Sequence, residues 1–196
     1  AEGYVRDPEL VINFYNERRK QLLDVEPNAG HTGLAELEKD FNVTVVTQNV
    51  DNLHERAGST HVIHLHGELT KVCSSRDPYN PRYVRELKPE EYEVKMGDKA
   101  GDGSQLRPFI VWFGEAVPEI ETAIGYVEKA DIFVIIGTSM NVYPAAGLLN
   151  YVPRTAEVYL IDPKPVDIHS MRRIHVIQKG ASEGVKELQS LLFTPL

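Results

Sequence analysis

Cysteine is almost missing: Cys73 is the one thiol in 196 residues, which excludes an internal disulfide framework. Basic charge is also short, with 21 Lys and Arg against 29 Asp and Glu and a formal net charge of −8. That deficit argues against a chain built to hold nucleic acid through its phosphates, although a basic peptide would be tolerated. No apolar run approaches the length of a membrane span, and Ala1 to Asp7 carries charges without the apolar core of a secretory signal. A soluble, cytoplasmic protein with neither nucleic-acid nor membrane partner is therefore expected. The length suits one domain with a sizeable core, or one domain with a small appended module.

The most informative stretch runs from Val43 to Gly67, VTVVTQNVDNLHERAGSTHVIHLHG. Val43, Val45 and Val46 form a β-branched run of strand length that stops at Thr47-Gln48-Asn49, where amide side chains replace apolar ones. Val62, Ile63 and Leu65 predict a second short strand ending in His66-Gly67. Polar groups at the carboxyl end of an apolar strand line the crevice where open α/β sheets bind ligands. Gly67 allows a close backbone approach there. Each residue has a plainer reading: Asn-Val-Asp-Asn as an Asx turn bonding its own backbone, and a lone His as structural.

Around this stretch the signals alternate. Asp7-Pro8-Glu9 reads as an N-cap, a first-turn proline and an acid against the dipole, predicting a helix from about Pro8 to Leu22. Its buried side is expected at Leu10, Val11, Phe14 and Leu22. Tyr15 and Arg18 share one face, able to offer a phenol and a guanidinium to one carboxylate, or to form a surface arginine stacked on a tyrosine. Asn28 reads as a cap for a short helix through Leu34, Leu37 and Phe41. Residues 71–107 change texture, with Pro78, Pro81, Pro89, clustered tyrosines and Gly97, Gly101 and Gly103. They predict a loop-rich module packed around Tyr79, Tyr83 and Tyr92.

Phe109, Ile110, Val111, Trp112 and Phe113 predict a strand or extended segment closed by Gly114-Glu115. A helix is expected over 120–129. The apolar strand 131–136 ends at Gly137-Thr138-Ser139, small residues that let a ribose or phosphate sit against backbone amides. A helix from Pro144, a strand from Val158 ending at Asp162, and a last helix from Gly184 to Leu192 complete the alternation. It predicts an α/β fold, a Rossmann-like parallel sheet with helices on both faces plus a small inserted loop-rich module. The expected boundaries are 1–70 with 108–196 for the sheet domain and 71–107 for the module.

TQNVDNLHERAG followed by HLHGEL, with VWFGE at 111–115, GTS at 137–139 and VYPAAG at 142–147, closely resembles the core signature of the sirtuins, the NAD-dependent protein-lysine deacylases. The resemblance implies NAD and an acylated protein lysine as partners, with release of nicotinamide and O-acyl-ADP-ribose. It implies His66 as general base, a task suited to an imidazole titrating near neutrality. Gln48, Asn49 and Asp51 would hold the nicotinamide ribose and carboxamide. Gly137, Thr138, Ser139, Asp162 and Ala181 would hold the rest of the cofactor. Val111, Trp112, Phe113, Gly114, Glu115 and Val142 would meet the substrate peptide, by strand addition along WFGE. FYNERR places Tyr15 and Arg18 on the pair by which a subgroup that includes the bacterial cobalamin-biosynthesis-type deacylases recognises succinyl, malonyl or glutaryl lysine.

Three departures from the family pattern stand out. Sirtuins usually hold a structural zinc with two Cys-x-x-Cys pairs, but Arg76 stands where the partner of Cys73 belongs and no second pair follows, so no zinc is expected. Where the family commonly has Asn-x-Glu, this chain has Asp162-Pro163-Lys164, reversing a charge. The glycine loop that cradles the pyrophosphate is also missing, and an N-terminal unit beyond this sequence is expected to supply it. A catalytically impaired nucleotide-binding relative is the alternative these departures favour. A dehydrogenase, suggested by a parallel sheet alone, gives no reason for HLHG beside TQNVDN.

Overall fold

A computed structural model describes residues 1–137, 145–165 and 172–193. Along the chain lie α1 (Glu2–Arg6), α2 (Pro8–Leu22), α3 (Ala29–Glu36), β1 (Val45–Thr47), α4 (Leu53–Arg56), β2 (Val62–His64), β3 (Gly67–Ser74), β4 (Arg85–Glu86) and β5 (Leu106–Ile110). They are followed by α5 (Ile120–Val127), β6 (Ile132–Ile136), α6 (Ala145–Leu148), β7 (Glu157–Ile161), β8 (His175–Ile177) and α7 (Ala181–Phe193). Two compact units result: Ala1–Glu26, Thr47–Asn52 and His64–Pro118 form one; Pro27–Val46, Leu53–Ile63 and Glu119–Leu196 form the other. Among the described residues no helix is long and apolar enough to cross a membrane.

The second unit carries the parallel sheet. β6 runs alongside β7 from Ile132↔Glu157 to Ile136↔Ile161, and β7 alongside β8 from Tyr159↔His175 to Ile161↔Ile177. β6 is half-buried along its whole length, whereas Val158, Leu160 and Ile161 of β7 are buried. Ile161, Ile177, Val185, Leu188 and Leu37 make the core, with Leu34, Phe41 and Val134 packed against it. Glycines set the helix spacing: a Cβ at Gly33 would fall 2.7 Å from Val185 Cγ1, and one at Gly184 would overlap the Ile161 side chain. The cap expected at Asn28 is present, its side chain accepting from Gly30 N and His31 N while His31 Nδ1 accepts from Asn28 N. His31 therefore completes a capping box. β8 had no forecast, because three residues in a charged stretch carry too little periodicity to register.

The first unit packs α2 on the antiparallel sheet β4–β3–β5. The Asp7 cap and the range of α2 match the expectation, with Leu10 N donating to Asp7 Oδ1 at 3.1 Å. Its buried face matches at Leu22 and not at Leu10 or Phe14. Leu10 and Phe14 are 65% and 54% exposed, whereas Ile12, Asn16, Arg19 and Leu22 are buried. A stripe at i, i+4, i+7 is a helix face whatever its chemistry, and two of its members are polar. Asn16 Nδ2 donates to Val94 O (2.8 Å) and Asn16 Oδ1 accepts from Val94 N (2.9 Å) and Arg19 Nη1 (2.9 Å). Arg19 also donates to Leu69 O (2.8 Å) and Tyr92 O (2.7 Å). Burial lowers its guanidinium to about 10, so it remains charged at neutral pH.

The module expected to centre on tyrosines has an aliphatic core instead, Val72, Leu87, Val94, Ala100 and Leu106 with Ile12 of α2. Tyr79, Tyr83 and Tyr92 are half-buried around it. Since Arg19 ties α2 to two separate stretches through carbonyl oxygens, Arg19→Met should leave several buried acceptors unmatched. A loss of about 2–4 kcal/mol is expected, read as a lower urea midpoint at unchanged slope. A loss below about 0.5 kcal/mol, within the scatter of surface changes, would show that those acceptors find other donors.

Candidate active site

Three of the sequence motifs meet in the first unit, joined by backbone. At the end of β1, Leu65 N donates to Thr47 O (2.9 Å), and Thr47 Oγ1 accepts from Asn49 N (3.0 Å). Asn49 O lies 3.1 Å from His64 Nδ1, and Leu69 N donates to Val50 O (2.7 Å). The 47–52 segment is thereby fastened to the HLHG turn. His66 O accepts from Val111 N at 2.9 Å, and Gly67 pairs with Ile110, which fastens HLHG in turn to VWFGE.

Gly67 has φ +88°, and an added Cβ would overlap Phe109 O and sit 2.9 Å from Ile110 Cα. The close approach read from sequence is therefore obligatory. His66 is half-buried at this turn. Buried His64 has its Nε2 3.8 Å from Glu68 Oε1, and Lys71 Nζ lies 2.7 Å from Glu68 Oε2. His64 anchors the loop, a role hidden in the sequence because both histidines of HLH look alike there. Within 47–52, Gln48 Nε2 and Asn52 Oδ1 are buried without a partner among the described residues. Asn49 is exposed and Asp51 half-buried.

The predicted strand over 109–113 stops at Ile110. Beyond it Trp112 N donates to Glu115 Oε1 (2.7 Å) and Glu115 N to Trp112 O (2.9 Å), closing a turn in which Phe113 is fully exposed and Gly114 has φ +89°. The apolar run misleads because Phe113 faces solvent and Trp112 packs on its own ring partners. The indole lies 5.2 Å from the Tyr4 ring and 3.9 Å from the Arg107 guanidinium. Burial would raise the Glu115 carboxyl, but the Trp112 N–H and the Arg107 charge outweigh it and hold it below its ordinary value. Nearby, burial and Glu115 push the Tyr79 phenol up to about 12.

Tyr15 and Arg18 project from α2 in the same unit. Trp112 Nε1 donates to Tyr15 Oη at 3.2 Å, and the exposed Arg18 guanidinium lies 5.8 Å from the Phe14 ring centre. The stacking partner is thus Phe14, four residues back, and not the tyrosine.

In the second unit, Gly137, Asp162 and Ala181 gather at the carboxyl edge of the parallel sheet. Gly137 N donates to Ile161 O (3.0 Å) with φ +60°, and Asp162 N donates to Ile177 O (3.2 Å). Asp162 Oδ1 accepts from Lys164 N at 2.9 Å. Ala181 opens α7, and a Cβ on Gly30 would lie 3.4 Å from its carbonyl carbon. Thr138, Ser139 and Val142 lie outside the described residues.

The residues near Cys73 do not fit a structural zinc. The thiol is fully buried within β3, 3.8 Å from Pro108 O, and burial raises it to about 11, whereas zinc takes the thiolate. Ser74, Asp102 and Ser104 bond one another beside it.

A parallel sheet with small and polar residues at its carboxyl edge, and a polar loop locked to a histidine turn, are features of α/β enzymes of the Rossmann-like, nucleotide-using kind. The Sir2 family profile matches residues 1–144, and the chain belongs to that family. It is 84% identical over 191 residues to an NAD-dependent protein deacylase of Bacteroides thetaiotaomicron, covering 97% of this chain and 82% of that protein. It is 47% identical over 190 residues to an NAD-dependent protein deacylase of Helicobacter pylori strain 26695, covering 97% and 80%. Among solved structures, a Sir2 homologue bound to NAD aligns with a TM-score of 0.81 at 34% identity, over 98% of this chain and 76% of that one. Sir2 with a p53 peptide and NAD aligns with a TM-score of 0.77 at 29% identity, over 97% and 80%.

Because Gly67 joins HLHG to VWFGE at a distance no side chain allows, Gly67→Ala tests the construction. The left-handed backbone alone costs about 1–2 kcal/mol, and the overlap adds to it. A lowered thermal midpoint together with lost activity is expected, and wild-type behaviour in both would show that the turn can be rebuilt.

Proposed function

We propose that the chain is an NAD-dependent protein-lysine deacylase, carried by one observation above the others: TQNVDN, HLHG and VWFGE are hydrogen-bonded into a single unit. NAD fits the residues present. Gln48 Nε2 and Asn52 Oδ1 are a buried donor and acceptor awaiting partners, and a carboxamide or ribose hydroxyl provides both. Gln48, Asn49 and Asp51 then orient the nicotinamide ribose, while Gly137, Thr138, Ser139, Asp162 and Ala181 hold the remainder of the dinucleotide. When bound, NAD supplies a ribose carbon that takes up the acyl oxygen as nicotinamide leaves.

His66 accepts a proton from a ribose hydroxyl, acting as general base from a turn whose carbonyl is fixed to Val111. Main-chain groups around Phe113 and Gly114, with Val142, meet the peptide that bears the acyl-lysine; Glu115 acts indirectly, since its carboxylate holds the Trp112 amide. A cytoplasmic setting, with neither nucleic acid nor membrane as partner, suits an acidic, NAD-consuming enzyme. His66→Tyr is expected to cut nicotinamide release from NAD and an acetyl-lysine peptide by at least about a hundredfold, the scale of a lost general base, at unchanged circular dichroism. Full turnover in that variant would remove His66 from the chemistry.

A second reading, a nucleotide-binding relative without catalysis, is favoured by Asp162, whose Oδ1 already bonds its own chain at Lys164. The same assay on the unmodified protein separates the two, since only an enzyme releases nicotinamide in proportion to peptide.

Acyl choice rests on Tyr15 and Arg18. An acidic acyl chain loses hydration on entering a site and needs a matched cation. Arg18 provides the charge and Tyr15 a hydroxyl donor, which makes desuccinylation at least comparable with deacetylation. A hydrogen bond to a charged group is worth about 1.5–3 kcal/mol, roughly tenfold to a hundredfold in kcat/KM. Arg18→Met should lower the succinyl-to-acetyl ratio of kcat/KM by that factor, chiefly through KM; equal losses on both substrates would make Arg18 structural.

A further inference from the structure

Arg107 is 4% exposed and has no part in the reaction just described. Its guanidinium lies 3.9 Å from the centre of the Trp112 ring, donates to Ile110 O at 2.9 Å and to Glu115 Oε1 at 3.4 Å, and its Nε reaches Pro108 O at 3.4 Å. Glu115 in turn accepts from the Trp112 amide at 2.7 Å. One ion pair thus fixes both the backbone and the ring face of the same tryptophan, and Tyr4 covers the indole at 5.2 Å. The free edge of the ring carries its N–H to Tyr15 Oη, 3.2 Å away.

We infer that Arg107 is a positioning residue for acyl-chain recognition: it holds Trp112 so that the indole N–H occupies an acceptor site of the Tyr15 hydroxyl and leaves that hydroxyl's proton to be donated. The inference rests on the reading of Tyr15 and Arg18 as the acyl-recognition pair. An unconstrained phenol both donates and accepts. With an N–H already on its oxygen, the same group is polarised as a donor, the role an acidic acyl terminus requires and a neutral acyl group does not use. The arrangement selects for a carboxylate without adding a second cation at the carboxylate itself. Arginine suits the task and lysine does not, because a planar guanidinium can stack on the indole while its fork reaches the carbonyl and carboxylate in the ring's margin.

Trp112 is the one tryptophan in the chain, so indole fluorescence reports on this residue's surroundings alone. In Arg107→Lys the charge stays and the planar stack is lost. Acrylamide quenching of Trp112 should rise, and the succinyl-to-acetyl ratio of kcat/KM should fall by about threefold to thirtyfold, the range spanned by cation–π contacts from exposed to desolvated sites. The fall should lie mainly in KM for the succinyl-lysine peptide. Arg18→Met is measured alongside. If Arg18→Met leaves the ratio unchanged, the acyl-recognition reading fails and this inference with it. If Arg18→Met lowers the ratio and Arg107→Lys does not, only the role of Arg107 is overturned. A loss shared equally by both peptides in Arg107→Lys also overturns it, since that is what general loosening of the turn produces. Should Arg107→Lys fail to fold by circular dichroism, Trp112→Phe keeps an aromatic ring without the N–H: a reduced ratio supports the relay, and an unchanged ratio overturns it.

Discussion

The break in the ladder between β3 and β5 is the constraint on which the first unit depends. Gly67 pairs with Ile110 and Val72 with Pro108, so the four residues 68–71 of β3 lie against the single residue Phe109 of β5. Pro108 has no N–H to give and sits at the irregularity, where a proline is tolerated. The looped-out residues keep their own donors and acceptors, which a regular ladder would have consumed. Leu69 uses both, its N–H on Val50 O and its carbonyl on Arg19 Nε. Thr70 O takes Leu87 N on the other side. One irregularity therefore fastens the amide loop, the first long helix and the edge strand to a single point. Bulges beside functional sites act in this way, redirecting backbone groups that pairing would otherwise hold.

Two buried guanidiniums share the consequences. Arg19 is held by neutral oxygens at Leu69, Tyr92 and Asn16, whereas Arg107 has two carbonyls and one carboxylate. Burying a charge is costly unless its hydrogen bonds are met, and arginine meets several at once because its donors lie in one plane. The helical phase that turns Arg19 inward also sets the position of its neighbours. Tyr15 and Arg18 each precede a buried residue by one position, about 100° around the helix axis at 3.6 residues per turn. Tyr15 consequently rests at the margin, against Trp112, while Arg18 stays in solvent over Phe14.

This phase was the least legible feature of the sequence. Reading α2 by its apolar residues chose Leu10 and Phe14, which are exposed, because hydrophobicity cannot identify an inward stripe built from Asn16 and Arg19. The parallel strands β6 and β7 were legible, since a β-branched run bounded by small residues has few other outcomes. So was Gly67, whose role follows from its lack of a Cβ. The motifs were each visible, but the bonds that join them were not: Val50 to Leu69 and His66 to Val111 link residues 19 and 45 positions apart through main-chain atoms that carry no sequence signal. Apolar content marks Trp112 only as part of a strand or extended segment and carries no sign that its amide is held by Glu115.

The treatment of the loop-rich stretch after β3 follows the same logic of satisfying polar groups locally. Ser74 is fully buried, and its Oγ donates to Asp102 Oδ2 at 2.5 Å while accepting from Arg76 N and Asp77 N. Ser104 Oγ donates to the other oxygen of Asp102 at 2.6 Å. Hydrogen bonds from Ser104 and Ser74 pull the Asp102 carboxyl down to about 2. A depressed carboxyl favours the folded state at pH values above its unfolded pKa near 4, and that contribution disappears as pH falls through about 2. The tie from the end of β3 to the 97–105 turn is accordingly complete at neutral pH. A zinc held by cysteines at this position would require thiolates, and Cys73 points the other way chemically: its thiol is raised to about 11 in the strand interior. The chain closes this corner with one carboxylate and two hydroxyls, a set whose strength depends on proton concentration and not on metal supply.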